Sequence, residues 1–138
     1  SAKAAGITVN PIRESEDSYF DTVWMKKPFT VDYWGYRGTA DWILSLVYAK
    51  GSNYNESHWD NDQFNKLLND AKSETNEDTR ASMYRDMQML VHEDGGSIIP
   101  IFTHHVWAAN KRVKTAEQVA SNYELDGYRC IERWWIEE

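Results

Sequence analysis

The chain is short of cysteine, of positive charge and of long apolar runs, and each shortage excludes something. One cysteine in 138 residues, Cys130, leaves no intrachain disulfide framework and no cysteine-rich zinc site. With 15 basic against 22 acidic residues the net charge is −7. No basic stripe exists to neutralise phosphates, so a nucleic-acid partner is not expected. The longest basic cluster, Lys111-Arg112-Val113-Lys114, reads as a solvated turn. No apolar stretch is long enough to span a membrane, and no signal peptide is visible. The four histidines are His58, His92, His104 and His105. Neighbours on a strand face opposite sides, so His104 and His105 do not converge on one ion. His92-Glu93-Asp94 lacks the second histidine at helical spacing that a zinc-peptidase helix needs. No metal or other cofactor is therefore expected. A Gly-x-Ser-x-Gly elbow, a histidine close in sequence to Cys130 and a phosphate-cradling glycine loop are all missing, so the sequence offers no catalytic residues.

Aromatic side chains are abundant, with seven Trp and eight Tyr. Such rings carry large area and a polar handle, which suits cores, interfaces and ligand clefts alike. They concentrate in Tyr33-Trp-Gly-Tyr-Arg-Gly-Thr-Ala-Asp-Trp42. Tyr33, Trp34 and Tyr36 offer faces for stacking, and Gly35 and Gly38 permit close backbone approach or a positive φ. Arg37 can grip a carboxylate through two parallel hydrogen bonds. Asp41 can contact a ligand or cap the helix that follows, a role Thr39 can also fill. The competing reading is a core strand ending in a tight turn, with Arg37 solvated.

Along the chain, strands and helices are expected to alternate, which defines an α/β fold. Ser1 to Gly6 reads as the tail of a helix closed by glycine, so the chain is expected to be part of a longer protein. Residues 7–12 alternate as a strand, and a short helix after Ser15 carries Tyr19, Phe20, Val23 and Trp24. Phe29 to Tyr36 is a second strand, leading to a helix through Ile43, Leu44, Val47 and Tyr48 that stops near Gly51. Asp60 with Gln63 forms a capping-box start for a helix burying Phe64, Leu67, Leu68 and Ala71. Thr75 and Asn76 start another, with Met83, Met87, Leu90 and Val91 inward and Gly95-Gly96 as its stop. Ser97 to Thr103 and His104 to Asn110 are two further strand candidates, the first broken by Pro100. Asn55-Glu-Ser57 is a formal glycosylation sequon in a loop.

The order of several motifs is more specific than any one of them. Tyr33 to Trp42 is followed by Trp59-x4-Phe64-x2-Leu67-Leu68 and by Met83-Tyr84-x2-Met87-Gln88. Ile98-Ile-Pro-Ile-Phe102, Asn122 to Tyr128 and Ile131-Glu-Arg-Trp-Trp135 complete the series. In this order the chain resembles the periplasmic solute-binding proteins of peptide, nickel and opine ABC importers. The resemblance implies a C-terminal piece of a two-lobed periplasmic binding protein-like fold, with a mixed sheet flanked by helices. Residues 1–110 would belong to the second lobe and 111–138 would cross back to the first. It implies a receptor without enzymatic activity, periplasmic or held outside the cytoplasm as a lipoprotein. Its partners would be a peptide or peptide-like solute and a membrane permease, and the aromatic tail invites self-association. Ligand-binding residues would be Tyr33, Trp34, Gly35, Tyr36, Arg37 and Asp41. Peptide receptors of this kind carry an aspartate for the ligand's ammonium at or near the position of Arg37, and an arginine instead attracts an anion. The alternative from the residues alone is a carbohydrate-binding or glycoside-hydrolysing domain with an aromatic-lined cleft.

Overall fold

The computed structural model describes residues 2–138. Helices hold 39% of the chain, and among the described residues there are only two short, antiparallel strands. The chain separates into two compact units, one ending at Tyr33 and the other spanning Trp34–Glu138. In the first, a 3-10 turn at Ala2–Ala5 closes at Gly6 (φ 76°), and a single helical turn, α1, covers Tyr19–Thr22. Phe20 stands edge-on between Tyr19 and Trp24, and the Tyr19 hydroxyl donates to the Val31 carbonyl at 2.9 Å.

The second unit owes its core to three helices, each begun by a side-chain cap. Thr39 starts α2 (Ala40–Val47) by accepting from the Trp42 N–H. Asn61 starts α3 (Asp62–Ser73) by accepting from Phe64, and Asn76 starts α4 (Glu77–Asp94) by accepting from Thr79. The cap of α3 lies one residue beyond the expected Asp60, which instead pairs with Lys50 at 2.6 Å. Phe64, Leu68 and Ala71 on α3 meet Met87 and Val91 on α4, with Leu44, Val47 and Tyr48 closing the cluster. Leu67, Met83 and Leu90 pack around it partly buried. Burying a large apolar side chain of this kind stabilises by about 1.5–3 kcal/mol. Asn55 is buried among these helices, and its amide bridges Ala49, Ser57 and Trp59. The sequon asparagine is thus committed to holding the loop that joins α2 to α3.

Beyond α4 the chain carries β1 (Val113–Lys114), one turn α5 (Glu124–Gly127), one turn α6 (Cys130–Arg133) and β2 (Trp135–Ile136). Strands β1 and β2 pair Val113 with Ile136 and Lys114 with Trp135. In α5 the backbone is left-handed at Leu125, Asp126, Gly127 and Tyr128. The buried Asp126 carboxylate holds this turn by accepting from Ala120 N–H, Arg133 (2.9 Å) and the Trp134 indole (3.3 Å).

The expected α/β fold with a mixed sheet is not what forms. Residues 7–12, 29–36, 97–103 and 104–110 are without regular structure. Their composition favours strands, but a strand persists only where a neighbouring backbone completes its ladder. No backbone–backbone hydrogen bond engages residues 97–109 among those described, and Ile98, Ile101, Phe102 and Val106 are each exposed. The helices need no outside partner, because their hydrogen bonds are internal and their apolar faces meet one another.

Candidate functional site

The segment between Tyr33 and α2 brings part of the expected site together. Trp34 packs against the helical core and meets Tyr54 edge-on at 5.9 Å. Across the turn, Trp42 occupies the first turn of α2. The Arg37 guanidinium lies between them, its central carbon 5.6 Å from each ring centroid. Nη1 donates to the carbonyls of Gly35 and Tyr36, both at 3.1 Å. A cation over two indole faces is held by the rings' quadrupoles. With Nη1 fixed, the N–H groups on Nη2 and Nε are left for an outside acceptor, the geometry that suits a planar carboxylate.

The glycines have a plainer role than expected. Neither Gly35 nor Gly38 has a positive φ. A Cβ would meet nothing within 4 Å at Gly38 and only Arg37 Nη1, at 3.6 Å, at Gly35. Tyr33 is 92% exposed. Asp41 does not cap α2, since Thr39 does, and it forms no ion pair with Arg37 among the described residues. It faces a separate cavity of about 440 Å³ lined also by Lys72, Arg80 and Tyr84. There burial, and then the nearby Asp41 carboxylate, raise the Tyr84 pKa above the ordinary tyrosine value. One Asp41 oxygen is buried without a hydrogen-bond partner among the described residues.

Tyr36 turns away from Arg37's rings and joins a second cluster, which the sequence did not single out as a site. Its ring meets Tyr123 edge-on at 6.1 Å, and Tyr123 stacks on Tyr128 at 5.2 Å with 16° between planes. The Tyr128 phenol and the Glu124 carboxylate act on one another, lowering the Glu124 pKa and raising that of Tyr128. His105 Nδ1 lies 3.6 Å from the same carboxylate. The signal was the dense run Tyr123-Glu-Leu-Asp-Gly-Tyr128, whose geometry no periodicity rule predicts. Among the described residues no group of three or more His, Cys, Asp or Glu side chains converges as a metal site would require.

Comparisons with protein-family models, with curated proteins and with solved structures find no match to this chain.

Proposed function

We propose that the chain is the solute-capturing part of an ABC importer's binding protein, working outside the cytoplasm and without catalysis of its own. It holds a peptide-like solute through an anionic group and presents it to a membrane permease. The observation that carries this reading is Arg37, clamped between Trp34 and Trp42 with its inner nitrogen fixed by two carbonyls. Preorganisation lowers the cost of binding, because the guanidinium is ordered before ligand arrives. The order of the aromatic motifs from Tyr33 to Trp135 supports the same class.

Native mass spectrometry of the full-length receptor identifies the solute that co-purifies with it, and titration calorimetry then measures its affinity. Truncating one partner of a desolvated charge pair costs about 2–5 kcal/mol. Arg37 is only partly buried, so Arg37→Ala is expected near the lower end, a loss of about tenfold to thirtyfold. Arg37→Lys recovers little, because an ammonium offers no planar fork. Unchanged affinity in Arg37→Ala removes Arg37 from the site.

A further inference from the structure

The turn at α5 holds the longest run of left-handed backbone among the described residues. Leu125 (φ 49°), Asp126 (φ 65°) and Tyr128 (φ 63°) are consecutive in a region that L-residues avoid, interrupted only by Gly127. A Cβ at Gly127 would lie 2.9 Å from Asn122 Oδ1. Strain of this kind persists only when its surroundings enforce it, and it gathers at ligand clamps. Here the buried Asp126 enforces it through three donors. The product is a fixed aromatic surface, with Tyr123 stacked under Tyr128 and Tyr36 set against Tyr123.

We infer that Tyr36, Tyr123 and Tyr128, with the Glu124 carboxylate, form a binding site for an organic cation, an alkylammonium or quaternary ammonium group. Tyrosine faces present the negative side of their quadrupole, and cations with spread charge prefer them to water-filled surroundings. Tyr128 is 66% and Tyr36 50% exposed, so both rings are open to a ligand. The Tyr128 phenol favours ionised Glu124, whose carboxylate also has His105 Nδ1 at 3.6 Å. Arg129, the cation adjacent in sequence, is committed to Glu132 through Nε and Nη2, both at 3.0 Å. The site uses neither Arg37 nor the two tryptophans around it, so it stands or falls separately from the anion reading above.

The experiment titrates the 138-residue chain, labelled on its tyrosine rings, with choline and with the neutral alcohol in which carbon replaces the choline nitrogen. Ring resonances are followed by NMR. Choline is expected to shift Tyr36, Tyr123 and Tyr128 saturably, and the neutral isostere to leave them in place. Tyr128→Phe keeps the ring and binds within about threefold of the parent, whereas Tyr128→Leu loses about tenfold. Glu124→Gln weakens binding about threefold to tenfold without removing a ring. Tyr36→Ala guards against a folding artefact, because Tyr36 lies in a segment without regular structure; it too weakens choline. Equal shifts from the neutral isostere, or unchanged choline binding in both Tyr36→Ala and Tyr128→Leu, overturn the proposal.

Discussion

At the scale of single residues, the polar groups buried around α2 divide into those that hold the fold and those left without partners. Asn55 is 6% exposed and its amide takes part in four hydrogen bonds. Asn55→Ala strands the Trp59 N–H and two carbonyls, so a loss of about 1–3 kcal/mol is expected in chemical denaturation. Ser45 is the opposite case, because its hydroxyl is buried on α2 with no partner among the described residues. Ser45→Ala removes an unsatisfied group and favours the helix, and should raise stability by about 1 kcal/mol. A clear loss on that substitution means that the hydroxyl has work to do. Gly38 and Gly127 differ in the same instructive way. Gly38→Ala meets no atom within 4 Å and narrows only the unfolded ensemble, whereas Gly127→Ala adds a Cβ at φ 67° against Asn122.

At the scale of elements, what the sequence made legible was what local chemistry decides. Helices α3 and α4 follow from Phe64, Leu68 and Ala71 and from Met87 and Val91 at helical spacing, and Gly95 ends α4 as expected, its N–H donating to Val91. Asn76 is the cap the sequence indicated, while Asn61 takes the place of Asp60 because its carbonyl oxygen reaches the Phe64 N–H. Asn61→Ala and Asn76→Ala should each cost about 1 kcal/mol, read as a lowered unfolding midpoint at unchanged slope. Met87, fully buried between the helices, should cost about 2–5 kcal/mol as Met87→Ala. The strands were not legible, because β-branched composition at residues 29–36 and 97–110 states a preference that only a pairing backbone can realise. The site was half legible for a related reason. Arg37 between two tryptophans follows from their closeness in sequence, but the meeting of Tyr36 with Tyr123 spans almost ninety residues. Asp41 was readable as a helix-terminus residue, yet its closeness to Tyr84, 43 residues further on, depends on tertiary packing.

At the scale of the whole molecule, the governing quantity is the apolar surface that the chain leaves to solvent. In the C-terminal part, Ile131 is 93%, Ile136 65% and Trp135 54% exposed. Large exposed apolar patches are uncommon on stable monomers, and an interface between like copies is a common way to cover them. The isolated chain is therefore expected to self-associate through this tail. Its net charge of −7 opposes association, so salt should strengthen the complex by screening the repulsion. Removing the whole tail is a poor test, since β2 pairs with β1 and Asp126 anchors α5. Ile131→Glu is cleaner: the side chain stands on the outside of α6, and its replacement disturbs no packing in the monomer. A desolvated carboxylate at an interface is costly, so Ile131→Glu should shift sedimentation equilibrium toward monomer by at least about tenfold in dissociation constant. Far-ultraviolet circular dichroism should stay unchanged. If the parent chain sediments as a monomer at its solubility limit in high salt, or if Ile131→Glu associates as the parent does, the tail is not the contact.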